Sequence, residues 1–136
     1  MDQEGERYLI LRHLEDALNV LGRRTEQAEV IEEMAVLASS MDDARGDVER
    51  RKASLQAQEG DLPSAIESAV LSVKLEREAG TGDMVAVALI TEGTIRRWSG
   101  KPVDAIPPLE AAISSAKLPS SFARLARSSE ASANSS

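Results

Sequence analysis

Three glycines divide this chain at nearly equal intervals. Gly22, Gly60 and Gly100 each follow a helical pattern of apolar residues, and they lie 38 and 40 residues apart. Glycine commonly ends a helix because it adopts the left-handed backbone conformation without a steric penalty. A recurrence of roughly 20–50 residues is typical of arrays built from pairs of helices. One pair cannot bury its apolar face alone, so the spacing predicts three pairs stacked on a shared core.

Apolar residues between the glycines recur at spacings of three and four, as on one face of a helix. The pattern predicts six helices and no strand. The expected core positions are Tyr8, Leu11, Leu14, Leu18 and Leu21 in the first helix, Ala28, Ile31, Ala35 and Ala38 in the second, Leu62, Ala65, Ile66, Ala69, Val70 and Val73 in the fourth, and Val103, Ile106, Leu109 and Ile113 in the sixth. The fifth helix is apolar on nearly all sides, which predicts burial on more than one side.

Several residues are expected to shape the helix ends. Asp43 and Asp83 lie 40 residues apart and should cap the third and fifth helices, because a carboxylate accepts hydrogen bonds from free first-turn amides. Pro107 and Pro108 fall inside the sixth apolar pattern and should kink that helix or delay its start. Trp98, near the end of the fifth helix, is expected to pack in the core or between repeats.

The composition excludes several classes of protein. Aromatic residues make up 2% of the chain, whereas strand-rich cores depend on aromatic and β-branched side chains. The chain has no cysteine, which excludes disulfides, thiolate metal sites and thiol nucleophiles. The single histidine, His13, lacks sequence partners for a metal site or a catalytic dyad. We therefore expect no enzyme activity, no catalytic residue, no metal and no cofactor.

The charge balance restricts the partners. The chain carries 16 Lys and Arg against 23 Asp and Glu, a net charge of −7, which argues against the basic face that nucleic-acid binding needs. No apolar run approaches the roughly 20 residues that span a bilayer. The acidic start, Met1 to Glu4, is not followed by a hydrophobic signal core. The sequence predicts a cytoplasmic protein that binds neither nucleic acid nor membrane.

The residues around the turns resemble the tetratricopeptide repeat. In that family, a small residue lies midway along the first helix, a glycine at the turn precedes an apolar residue, and an alanine lies early in the second helix. The matching positions are Ala17 and Gly22 in the first repeat, Ala53, Gly60, Leu62, Ala65 and Ala69 in the second, and Gly93, Gly100, Ala105 and Ala112 in the third. The alanine of the first repeat, Ala28, arrives one residue late. The repeats are longer than usual, as in variants found in bacterial signalling and regulatory proteins.

The resemblance implies an all-α fold, a right-handed superhelical solenoid of three helix-turn-helix repeats plus a short C-terminal helix. We expect one domain over residues 1–127, with repeats at about 6–41, 43–79 and 83–116 and a capping helix at 119–127. Residues 128–136 are mostly serine and alanine. Such a segment cannot bury enough apolar surface to offset its ordering entropy, so it is predicted to be a disordered tail.

The first helix of each pair lines the concave groove in such arrays. Counting back from the turn glycines, the predicted groove positions are Arg12, Asp16, Asn19, Arg50, Ser54, Ala57, Ile90, Thr94 and Arg97. Arg12 and Arg50 occupy equivalent places, where a guanidinium group can hold a carboxylate of a partner. The alternative is that these arginines pair with acidic neighbours such as Asp47 or Asp16.

The sequence therefore predicts a non-catalytic protein-interaction module or scaffold, part of a signalling or regulatory protein. It would bind a peptide or helix in the groove, with acidic groups of the partner facing the arginines. The alternative is a structural helical homo-oligomer assembled through the third-repeat end.

Overall fold

The computed structural model describes residues 2–80 and 82–116, and these ranges are helical with short turns between them. The elements are α1 (Gln3–Leu21), α2 (Arg24–Ala38), α3 (Arg45–Gln58), α4 (Leu62–Ala79), α5 (Gly82–Trp98) and α6 (Ile106–Ser115), with a 3₁₀ helix at Pro102–Ala105 directly before α6. The prediction of six helices without a strand is confirmed for these ranges. The expected helix at 119–127 and the tail at 128–136 lie outside the described residues.

The three turn glycines end helices as predicted. Gly22 has φ of 71°, and its backbone N–H donates to the Asn19 carbonyl over 3.1 Å. Gly60 and Gly100 follow α3 and α5 with φ of 89° and 86°. A side chain at these left-handed positions would be strained. The regular glycine spacing therefore reflects three helix ends of the same kind.

The predicted caps at Asp43 and Asp83 are wrong. α3 begins at Arg45 after Ala44, with no side-chain cap, because a backbone bond from Ala44 N to Met41 O already shapes the turn. α5 begins one residue before Asp83, which therefore lies in the first helical turn and only complements the helix dipole.

Each helix packs on the next one in the chain, and α3 also contacts α5. Several side-chain bonds join α1 to α3, and three of them run from Tyr8 to Asp47, from Arg51 to the Arg12 carbonyl and from Gln58 to Asn19. Each of these bonds connects residues 39 apart. Because the separation in sequence is the same for these three bonds, which lie at successive places along both helices, α1 and α3 run parallel.

The core consists of three clusters of small and medium-sized side chains. Met34, Ala53 and Ala65 are fully buried, and the same alanines allow close approach of α3 and α4. α5 buries residues on several sides and contacts α3, α4 and α6, as predicted. Five expected core residues are exposed instead: Leu14, Leu21, Ala35, Val70 and Val103.

The outer side of α1 explains two of those errors. α1 packs on α2 and bonds to α3, which leaves its remaining face without a described neighbour. Leu14 and Leu21 lie on that face together with Ile10 and Ala17, at the spacing of four, three and four that makes one helical stripe. The periodicity identified a helix correctly but assigned part of an exposed stripe to the core.

The start of α6 accommodates both prolines. The 3₁₀ helix delays α6 to Ile106, so Pro107 and Pro108 lie in its first turn, where missing amide donors cost no intrahelical bond. The prediction of a delayed start is confirmed. No helix in the described ranges combines the length and the apolar character required to cross a bilayer.

Candidate functional site

Three helices that do not follow one another in the chain meet around one pocket. The cavity measures about 180 Å³ and is called here the α1/α3/α5 pocket. Its lining residues are Asn19 from α1, Ser54 and Gln58 from α3, and Ile90, Thr91, Thr94, Ile95 and Trp98 from α5. Four predicted groove residues, Asn19, Ser54, Ile90 and Thr94, are therefore brought together.

The polar groups of this pocket are uncharged. Gln58 Nε2 donates to Asn19 Oδ1 over 3.1 Å, and an Arg24 nitrogen donates to the same oxygen over 2.9 Å. The Asn19 amide nitrogen and the hydroxyls of Ser54 and Thr94 make no side-chain hydrogen bond within the described residues. These groups can therefore pair with the backbone or side-chain amides of a ligand.

Two large apolar side chains border the same pocket. Ile90 is 50% exposed and Trp98 is 53% exposed. Of the two places predicted for Trp98, the core is wrong, whereas its position in a pocket lined by α1, α3 and α5 agrees with a place between repeats. Ile95, which is 1% exposed, fills the buried position one turn earlier, and the chain turns away at Ser99. The indole is left on the surface beside the uncharged polar groups.

The predicted groove arginines turn toward a carboxylate of the chain itself. Asp47 Oδ1 accepts from Arg50 over 2.9 Å, and Asp47 Oδ2 lies 3.5 Å from Arg12 Nε. Asp16 pairs with Arg51 over 2.6 Å. The structure thus brings these predicted residues together as ion pairs, which is the alternative that the sequence left open. Neither arginine lines the α1/α3/α5 pocket.

The two remaining predicted residues lie apart from the pocket lining. Ala57 is buried in the second core cluster, because it faces α4 and α5. Arg97 is exposed, directly before Trp98, and forms no ion pair with a described residue. It is the predicted groove arginine without an ion pair, next in the chain to a residue of the pocket lining.

A buried charge cluster that the sequence did not reveal is centred on Arg51. Its side chain is 5% exposed. Arg51 Nε lies 3.1 and 3.2 Å from the two Asp47 oxygens, and Arg51 Nη1 donates to Glu15 over 2.5 Å. Glu15 and Asp47 are 3% and 6% exposed. One guanidinium group therefore bridges two buried carboxylates, and Arg12 and Arg50 bring further positive charge to Asp47.

Two more residues extend this cluster to three helices. Gln27 Nε2 donates to the second Glu15 oxygen over 2.7 Å, and the Tyr8 hydroxyl donates to Asp47 over 2.7 Å. Tyr8, Glu15, Gln27, Asp47 and Arg51 are called here the buried polar network. The one sequence signal for it is spacing, since Tyr8 and Asp47 lie one repeat length apart.

The surroundings of this network shift three pKa values. Burial alone would raise the pKa of Asp47, but the charge of Arg51, the hydrogen bond from Tyr8 and the charges of Arg50 and Arg12 hold it below its ordinary value. Burial and the Asp47 carboxylate raise the pKa of Tyr8. Burial would lower the pKa of Arg51, but its carboxylate partners raise it. The charged Asp47–Arg51 pair and the protonated Tyr8 hydroxyl are the favoured states.

Protein-family models, curated proteins and solved structures were all compared with this chain, and none of them matches it. Within residues 2–80 and 82–116, no group of three or more histidine, aspartate or glutamate side chains could hold a metal ion. The α1/α3/α5 pocket and the surfaces around it are therefore the candidate binding regions of the described residues.

The depressed pKa of Asp47 predicts acid sensitivity. A group whose pKa is lowered by folding adds stability above its unfolded pKa, about 3.9 for aspartate, and that stability is lost as the pH falls through the folded value. Asp47→Asn should therefore be less stable than the wild type at pH 7, and the difference should shrink as the pH falls below about 4. Urea unfolding of both proteins at several pH values measures it. A difference that stays constant with pH would show that Asp47 does not titrate on unfolding.

Proposed function

We propose that this chain is a non-catalytic protein-interaction module, built as a tetratricopeptide-like right-handed solenoid of three helix pairs. Three features support the solenoid: the helix-ending glycines recur, each helix packs on the next, and α1 and α3 are parallel with an offset of 39 residues. Parallel first helices at a constant offset are what repeated helix pairs produce. The role within a signalling or regulatory protein is supported by the family resemblance alone.

One observation carries the proposed activity. The α1/α3/α5 pocket combines the half-exposed Trp98 and Ile90 with uncharged hydrogen-bonding groups from all three helices. Tryptophan is enriched among the residues that dominate binding energy at interfaces. An apolar side chain of a partner would enter beside the indole, while Asn19 and Ser54 pair with the partner's amides.

The partner is a peptide or helix that crosses the three first helices. Because Arg12 and Arg50 are engaged by Asp47, they are poor candidates for holding acidic groups of that partner. Arg97, which directly precedes Trp98 and forms no ion pair with a described residue, is the better candidate for holding a carboxylate of the partner.

A second candidate function is self-association. The stripe of Ile10, Leu14, Ala17 and Leu21 on α1 is exposed, and such a stripe is typical of a helix that packs on another helix. The stripe supports a candidate interface at the first pair of helices. The third-repeat end, which was the alternative expected from the sequence, adjoins residues outside the described ranges.

Binding of a peptide can be followed through the chain's one tryptophan, Trp98. A peptide selected for binding from a random display library should shift the Trp98 emission to shorter wavelength, because the indole leaves water. Trp98→Ala should weaken binding of the fluorescein-labelled peptide by roughly 30-fold, the effect of losing about 2 kcal/mol at an interface hot spot.

Val103→Ala is the matched control, since Val103 is 73% exposed and lies outside the pocket lining. An unchanged affinity in Trp98→Ala would refute this pocket as the binding site.

Sedimentation of the free protein tests the second candidate function, self-association. A dimer that dissociates in Leu14→Glu would support self-association through α1, and a monomer would exclude it.

A further inference from the structure

A second and larger concavity lies between α4, α5 and α6. Its volume is about 560 Å³, within the range of roughly 300–1,000 Å³ typical of binding sites. It is called here the α4/α5/α6 groove. The apolar part of its lining is formed by Val70, Val73, Leu89, Pro107 and Pro108. None of its lining residues belongs to the α1/α3/α5 pocket.

The rim of this groove carries uncompensated positive charge. Lys74 and Arg77 lie one turn apart on α4, are exposed, and form no ion pair within the described residues. On the α5 side, Arg96 Nε donates to Glu92 over 2.8 Å, so those two charges cancel. Glu78 is the remaining acid of the lining. The lining thus holds three cations against two carboxylates in a chain whose net charge is −7.

The apolar floor and the basic rim together specify a ligand. A purely acidic segment would leave Val70 and Pro107 exposed to water, and a purely apolar one would leave Lys74 and Arg77 unpaired. An amphipathic segment with apolar side chains on one side and carboxylates next to them satisfies both. We propose that the α4/α5/α6 groove binds an acidic amphipathic segment of a separate protein, independently of the α1/α3/α5 pocket.

The charges of the chain's own remaining residues fit this groove poorly. Lys117, Arg124 and Arg127 precede the single acidic residue of residues 117–136, Glu130. A segment with three cations and one carboxylate would meet the cations of the groove rim. Charge complementarity therefore favours a partner of the opposite sign over the chain's own end.

A pair of matched peptides tests the proposal on the full-length chain. Both are fluorescein-labelled 14-residue peptides with the same four leucines at helical spacing; one carries glutamate and the other lysine at the charged positions. Fluorescence anisotropy should show the glutamate peptide binding about tenfold more tightly or better, because its charges oppose those of Lys74 and Arg77. Equal affinity of the two peptides would overturn the proposal.

Variants locate the binding. Lys74→Glu and Arg77→Glu should each weaken binding of the glutamate peptide about fivefold. Val70→Asp should also weaken it about fivefold, because it places a carboxylate in the apolar part of the lining. Lys52→Glu is the control, because Lys52 is exposed on α3, outside the groove lining, and the charge change is the same. Equal losses in Lys52→Glu and Lys74→Glu would indicate a general charge effect and overturn the proposal. Circular dichroism checks that each variant is folded.

Discussion

Replacing Arg51 by methionine is expected to lower the free energy of unfolding by about 3–5 kcal/mol, as for other buried ion pairs that lose one partner. The substitution keeps an apolar stem and removes the charge. Glu15 and Asp47 would then be buried as carboxylates without their shared guanidinium group. Urea unfolding followed by circular dichroism at pH 7 measures the loss.

Arg50→Met is the matched control, because Arg50 is adjacent, also pairs with Asp47, and is 21% exposed. A pair that retains solvent contributes about 0–1 kcal/mol, so this variant should lose about 1 kcal/mol or less. Arg51→Lys should recover only part of the stability, since a lysine cannot reproduce the fork that reaches Asp47 and Glu15 together. Similar losses in Arg50→Met and Arg51→Met would refute the central role of Arg51.

The second large effect is expected at Gly46, in the first turn of α3. A Cβ atom at position 46 would overlap the carboxylate of Glu76, a residue of α4 that is 2% exposed. The same Cβ atom would lie 2.7 Å from Glu76 Cγ. Gly46→Ala must therefore displace a buried charged side chain or push α3 from α4. Overpacking of this kind costs about 1–3 kcal/mol, and we expect the upper half of that range from chemical unfolding.

Gly82→Ala provides the comparison for Gly46→Ala. Gly82 is the first residue of α5, and an added Cβ would lie 3.5 Å from the Ser115 carbonyl oxygen, an ordinary contact. This variant should stay within about 0.5 kcal/mol of the wild type, as most substitutions without a clash do. Equal stability of the two alanine variants would show that α3 and α4 can separate without cost.

The helices were predictable because their signals are local. Apolar spacing and the turn glycines at 22, 60 and 100 depend on short stretches of chain, so their positions could be read directly. The caps at Asp43 and Asp83 were mispredicted for a local reason as well. Several residues near a helix start can satisfy the first amides, and backbone bonds shaped the turn before α3.

The buried polar network could not be predicted from composition or periodicity. Arginine is usually exposed, and Arg50, Arg51 and Lys52 in succession are typical of a solvated helix face. Only the rotation of α3 against α1 determines that Arg51 points between the helices while Lys52 stays in solvent. That rotation depends on packing across three helices.

The candidate site was predictable in part, for a geometric reason. Counting back from the turn glycines selects one face of each first helix. It brought Ser54 and Thr94, each six residues before a glycine, into one pocket with Asn19, which lies three residues before Gly22. Asp47 was an alternative partner of these arginines in the sequence, but its approach to Arg12 depends on how α3 lies against α1, so the sequence alone could not decide between Asp47 and a ligand. The face of each first helix was readable from the sequence, but the outcome of competition for charge partners was not.

The buried polar network has a consequence for how the molecule can be divided. Because its members come from α1, α2 and α3, the boundary between the first and second helix pairs crosses a set of shared ionic bonds. Separating the pairs would leave Asp47 and Arg51 in the second pair and Glu15 in the first, so the ion pair between Arg51 and Glu15 would be lost. The first helix pair is therefore expected to unfold together with α3, although the periodic sequence marks its divisions after every second helix.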